Sequence, residues 1–388
     1  MSSPPIVLTA AEDRLFADLP EGEVRDALAS RGLPTRRAEA WRWSDIRAAL
    51  REEKAASGPY AAGDPAQVLD VTDAVTLTCR NGTWSVPDLP DGLRVSLDDA
   101  RPAVIADADV ASLATTARTL TIEIDGAFAA PVVLRRLSDG QGAHADRARV
   151  RVAAHGHARL IETHEASGTP FANSLTQIEV GEGAALDRTV VQPSTGAVLV
   201  HTALVALAGE AALDQITLSL GAALCRHETR LTHARASRAR LDALYRVDDR
   251  RHCDVTTHVR HAAEGGVTDQ LTRGVASGRG RGVFQGKFHV ERAAQRTDAK
   301  MAHDALILDQ GAQVNAKPEL EIYADDVECA HGNTVGALDA DALFYLRQRG
   351  LNADAARGVL VDAFAATVLN RVADDAVGAM LGALFAAA

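Results

Sequence analysis

Four short stretches decide the fold: GEGAALD (181–187), GEAALD (209–214), SRARLD (237–242) and GGVTD (265–269). Their closing aspartates, Asp187, Asp214, Asp242 and Asp269, recur at an almost constant interval. Around them, runs such as LTIEI, RVRVA, LTQIEV, VLVHTALVAL and DALYRV alternate apolar and polar residues between turn signals, which is the pattern of strands. A short, regular repeat built from strands without a helix in each unit describes coils that stack. No coil can bury its apolar face alone, so neighbours share one continuous core. A propeller blade needs about 40 residues or more, longer than this interval, and a sandwich needs no fixed period. The spacing predicts a mainly β protein whose core, residues 118–338, is a right-handed parallel β-helix. The repeated aspartates are expected as turn formers, their carboxylates capping nearby N–H groups.

Outside this core the pattern becomes helical at both ends. EGEVRDALASRG (21–32) carries apolar residues at helical spacing and stops on Gly32, and PTRRAEAWRWSDIRAAL (34–50) reads as a second helix. Trp41 and Trp43 are expected to pack this second helix on the domain beneath. Residues 1–60 form an amino-terminal helical region in this reading. Residues 61–117, rich in Gly, Pro and Asp with short runs such as AVTLTC and LRVSL, form a connector of loops and short strands. Residues 339–388 form a carboxy-terminal helical domain: LDADALFYLRQRG ends on Gly350, and NADAARGVLVDAFAATVLNRV precedes an Ala-rich tail. Helices at both ends are expected to cover the open ends of the solenoid, with Phe344, Tyr345 and Leu346 packing the last domain onto it.

Composition sets the class. With 388 residues the chain has room for about two or three domains, and 47% hydrophobic with 24% charged residues is ordinary globular composition. Aromatics make up only 4%, so small aliphatic side chains must fill the core. The net charge of -11 disfavours non-specific binding to nucleic acid or membrane. Residues 226–296 run the other way, with a net of +7, but lack the interleaved aromatics that stack bases, so an acidic partner protein is the expected counterpart. The longest uncharged stretch, Thr189 to Gly209, is interrupted by Gln192, Pro193, Ser194, Thr195 and His201 and reads as strand, not membrane span. Four dispersed cysteines without a C-x-x-C pair, and a start that meets Glu12 and Asp13 without a basic leader, predict a reduced, cytoplasmic home.

Several catalytic patterns are missing. Gly286-Lys287 lacks the rest of a P-loop, SGRGRG (277–282) does not fit a dinucleotide loop, and His227-Glu228 lacks the second histidine of a zincin. No nucleophile elbow occurs. The segment HCDVTTHVRH (252–261) holds metal-ligating types, yet strand alternation places Cys253 and His261 on one face and His252 and His258 on the other.

The most specific stretch is KPELEIYADDVECAHGNTVGALDADALFYLRQRG (317–350). It resembles the carboxy-terminal signature of the SufB/SufD family of iron-sulfur cluster assembly proteins. Its Cys329-Ala330-His331-Gly332 run is similar to the SufD form, where the SufB form has Glu-His-Glu, and Pro34 to Trp41 also resembles the SufD branch. The resemblance implies a non-enzymatic scaffold that pairs with a SufB-like paralogue through the β-helices and binds a SufC-like ATPase through the carboxy-terminal helices. It also implies that His331, with Cys329 close by, contributes to an iron or iron-sulfur site shared transiently with the partner, with no cofactor held tightly by the isolated chain. Residues i and i+2 on an extended segment point the same way, and imidazole and thiolate both ligate iron. Two ligands are fewer than the usual four, so a partner must supply the rest. Alternatives that remain open are a stand-alone β-helix enzyme acting on polysaccharide, a β-helical metal-binding protein using residues 252–261, and pairing of the chain with a second copy of itself.

Overall fold

The computed structural model describes residues 7–51, 68–69, 71–105 and 109–388. The division at residues 60 and 61, and the first six residues of the amino-terminal stretch, lie outside them. Three strands come first, β1 (Val75–Arg80), β2 (Thr83–Ser85) and β3 (Leu93–Asp98). The coils then run through β4 (Thr119–Ile124), β5 (Val132–Ser138), β6 (Ala143–Val152), β7 (His157–Ala166), β8 (Phe171–Val180), β9 (Ala185–Gln192), β10 (Val198–Leu207) and β11 (Ala212–Ser219). They continue with β12 (Leu224–His233), β13 (Arg238–Val247), β14 (His252–His261), β15 (Val267–Ala276), β16 (Arg281–Val290), β17 (Thr297–Ile307), β18 (Gln313–Ile322) and β19 (Val327–Gly336).

From β4 onward even strands stack into one sheet and odd strands into the other, each parallel to its neighbour one coil away. The molecule is thus a parallel β-solenoid. AVTLTC and LRVSL do not stand apart from it: β1 pairs in parallel with β5, and β3 pairs antiparallel with β4. Alternate side chains point inward, where Leu120, Leu134, Val150, Leu160, Leu186, Leu213, Leu241 and Val259 form a continuous aliphatic core. Tyr245, Phe284 and Phe288 are large side chains buried with it; Tyr245 fits because Gly274 and Gly282 leave room, and a Cβ on Gly274 would lie 1.9 Å from the Tyr245 ring.

The aspartates of the repeat are not turn formers. Asp187, Asp214, Asp242 and Asp269 lie within β9, β11, β13 and β15. Three of them join an outward-facing ladder of mixed charge, Arg159, Asp187, Asp214, Arg240, Asp269 and Lys300, while Asp242 is displaced to face Ile216. The turn before each odd strand from β7 to β17 is made instead by one residue in the left-handed region: His155, Gly183, Glu210, Ala236, Gly265 and Arg296. Each donates its N–H to a carbonyl of a neighbouring coil, as in His155 to Glu182 O (2.8 Å) and Ala236 to Glu264 O (2.9 Å). These corners mark the true period, which drifts: it is shortest from Glu210 to Ala236 and longest from Gly265 to Arg296. Only two of the six are glycine, which is why the turn carries no conspicuous sequence mark.

The terminal helices cover the solenoid's outer faces, not its ends. At the amino terminus α1 (Ala10–Ala17), α2 (Glu23–Arg31) and α3 (Ile46–Arg51), joined by α4 (Asp109–Ala114), lie over the even sheet. Phe16, Val24, Leu28 and Ile46 pack there against Phe171, Val198 and Leu224. The expected helix from Pro34 is instead a turn-rich segment with a single 3-10 turn at Glu39–Trp41, continuing into α3. Its tertiary contacts override helical propensity: the buried Arg226 guanidinium stacks 4.4 Å from the Trp41 ring and donates to Ala40 O (2.8 Å). Ser44 Oγ, wholly buried, bonds Asp254 Oδ2 (2.5 Å).

At the carboxy terminus α5 (Ala340–Gln348) begins at the Asp339 cap, followed by α6 (Ala353–Leu369) and α7 (Asp375–Ala387). Helices α6 and α7 bury Val361, Ala365, Leu381 and Phe385 against Ile161, Ile216, Leu244 and Val275 of the odd sheet. Several arginines of the basic segment are engaged inside the chain. Arg226 pairs with Glu228 and Asp254, Arg246 bonds Phe385 O, and Arg273 bonds Phe364 O, so these guanidiniums are tied up within the fold. Among the described residues no helix is long and apolar enough to cross a membrane.

Candidate functional site

Strand β19 is the outer edge of the odd sheet and β18 that of the even sheet; among the described residues no further coil covers either. Cys329 and His331 sit on β19 beside Ala299 and Met301, whose side chains belong to the core. They therefore share the inward parity, on the last rung, where the core faces out of the molecule. Cys329 is half-buried against Val290, Ala294 and Ala324, whereas His331 is exposed and Gly332 has open space beside it. The rung below is tightly held. His303 Nδ1 donates to Asn333 Oδ1 (2.7 Å), Tyr245 Oη donates to His303 Nε2 (3.1 Å), and the His303 ring stacks on Phe284 at 4.7 Å. The final strand is thus positioned by a rigid floor.

Burial, with Asp298 nearby, pushes the Cys329 thiol above its ordinary value, so it is a neutral thiol at pH 7, and any thiol must lose its proton to ligate a metal. Apolar side chains frame the same end of the molecule: Ile322, Tyr323 and Val335 are exposed, as are Phe344 (65%) and Tyr345 (57%) on α5. The expectation that Phe344 and Tyr345 pack the last domain onto the solenoid fails; α6 and α7 make that contact, and α5 leaves its aromatics in solvent.

The segment 252–261 does not join this site. His252 and His258 face outward from β14, where Ser44 Oγ meets His252 Nε2 at 2.9 Å, while Cys253 and His261 enter the core, His261 stacking on His233 at 4.4 Å. A second group of ligand types was not read from the sequence as a group. Glu162 and His164 on β7, His201 on β10 and His227 on β12 meet inside the solenoid although each of the three strands belongs to a different stretch of the chain. Only the register of the coils, which sets His201 beside His227, brings them together.

Known proteins are similar to most of the chain. Residues 135–364 match the family described as SUF system FeS cluster assembly, SufBD core domain. The chain is 30% identical over 374 residues to the iron-sulfur cluster assembly protein SufD of Escherichia coli (strain K12), covering 89% of this chain and 86% of that one. It is 35% identical over 204 residues to a SufBD family protein of Synechocystis, covering 52% and 45%. It is also 26% identical over 354 residues to a SufBD family protein of Mycobacterium tuberculosis, covering 88% and 85%. On the solenoid, its Cys-x-His last strand and these matches, the chain belongs to the SufB/SufD family of the SUF iron-sulfur cluster assembly system.

Proposed function

We propose that this chain is a non-catalytic, cytoplasmic scaffold subunit that pairs with a SufB-like paralogue at the uncovered end of the solenoid. In this reading Cys329 and His331 supply two ligands to iron or to a nascent cluster, which is cargo shared with the partner. The single observation that carries it is the placement of both residues, on one face, on a strand that ends its sheet. An unpaired strand edge is a ready template for another chain, and a site with two ligands is completed only from outside. A SufC-like ATPase engages the carboxy-terminal helices, to which α5 contributes solvent-exposed aromatics, and hydrolyses the ATP.

Co-expression with SufB-type and SufC-type proteins of the same host, followed by size exclusion with light scattering, tests the reading. The expected result is one particle containing all three chains. A chain that runs alone, or only with itself, would overturn it.

A further inference from the structure

The solenoid interior is aliphatic where the odd strands begin and the even strands end, and more polar toward their other ends. At the level of β7, β10 and β12 the polar side holds three imidazoles, with ring centroids 4.3 Å (His164 to His201), 5.8 Å (His164 to His227) and 5.9 Å (His201 to His227) apart. All three are at most 5% exposed. Glu162 lies among them, and a ligand atom of Glu162, His164 and His201 each falls within 4.8 Å of the other two.

The hydrogen bonding is uneven. Glu162 is fixed by Arg188 Nε (2.7 Å), Arg136 Nη1 (2.7 Å) and Thr176 Oγ1 (2.6 Å), and these cations hold it ionised despite its burial. His164 Nε2 and both ring nitrogens of His227, by contrast, are buried without a hydrogen-bond partner. Each such atom carries its desolvation cost with no bond to offset it, and three of them converge in one place. His201 Nε2 meets Thr176 Oγ1 at 3.3 Å and Arg188 Nη2 at 3.5 Å, long contacts that a bond to a metal can replace.

We propose that Glu162, His164 and His201 bind a divalent first-row transition metal inside the solenoid, with His227 as the fourth ligand. Imidazole with carboxylate suits zinc or ferrous iron, not magnesium or calcium, which want oxygen alone. Tetrahedral coordination at a metal–nitrogen distance of about 2 Å spaces imidazole centroids by about 5 Å, inside the span observed. Two arginines, Arg136 and Arg188, already balance Glu162 and Asp146. The ion must therefore be held by strong bonds to nitrogen and not by net negative charge. Cys225, on the same inward face as His227, is engaged with Ser219 Oγ (3.3 Å) and His252 O (3.1 Å). This site is closed to solvent, so the metal enters as the chain folds. It is independent of Cys329 and His331.

The full chain is refolded from denaturant with Co2+, freed of loose metal with a chelator, and read by metal analysis and by the visible bands of tetrahedral Co2+. About one equivalent is expected in the wild type, with a raised thermal midpoint. The Cys329→Ser/His331→Ala variant should retain it, and the His164→Gln/His201→Gln variant should hold at least tenfold less. Circular dichroism of the metal-free forms shows whether the glutamine variant folds. If it does not, the wild type against the Cys329→Ser/His331→Ala variant decides. A wild type that refolds without tetrahedral Co2+, or cobalt that is lost with Cys329 and His331, would overturn the proposal.

Discussion

His331 owes its availability to its neighbours. Asn333, two residues on, is tied down by His303, which is itself fixed between Tyr245 and Phe284, so the strand that presents the imidazole does not depend on it. Replacing His331 by Ala should therefore change stability by no more than about 0.5 kcal/mol, as for other exposed positions. In the three-chain particle it should lower cluster loading severalfold, read by iron and sulfide content and by absorbance. Unchanged loading would remove His331 from the site. The pair itself was legible in the sequence, since i and i+2 on a strand must share a face. That the face is the solenoid interior, and that this rung is the last, was not legible. Both follow from the register of β19 on β17.

Among the elements, α5 differs from its neighbours. Helices α6 and α7 are bound to the odd sheet by Val361, Ala365, Leu381 and Phe385, so deleting residues 340–388 would strip an apolar face and confuse misfolding with lost binding. Point changes on α5 avoid this. Phe344→Ser with Tyr345→Ser should leave the thermal midpoint of the isolated chain unchanged and weaken capture of the SufC-type ATPase at least tenfold by calorimetry. Undiminished affinity would place that interface on another element. The sequence marks the helix through its Asp339 cap and Gly350 stop. Its amphipathic pattern suggests a packed face, and the exposure of Phe344 and Tyr345 shows that periodicity cannot say which of two neighbouring helices makes the contact.

At the scale of the whole molecule, the solenoid encloses histidines that resist protonation in place. His233 and His261 stack with their planes 9° apart and are wholly buried, bonded to Ser237 and Thr268. Burial first, and for His233 the neighbouring ring as well, takes them to about 3 and about 4. Since the unfolded chain has histidines near 6.5, it binds more protons below that pH, and each of the two contributes a slope of about 1.4 kcal/mol per pH unit. The stabilisation is complete above about pH 6.5 and is lost as pH falls toward about 4. Urea unfolding between pH 7 and pH 5 should show stability falling on acidification, and His261→Gln should flatten the fall by about that slope. An unchanged slope would mean that His261 is not the residue excluded from protonation.

The sequence by itself determined the class of fold. Alternation in the runs required strands, a regular repeat without helices required stacked coils, and caps and stops required helices at both ends. It also determined the Cys329–His331 pair, because two residues apart on one strand is a local relation. Only the tertiary structure decided which sheet face each set of helices covers, which coil ends uncovered, and that Glu162, His164, His201 and His227 meet. Those are relations across coils, and they depend on coil lengths that drift along the chain. The visible aspartate repeat does not follow this drift, because register is carried by backbone hydrogen bonds at left-handed corners that a glycine marks only twice in six.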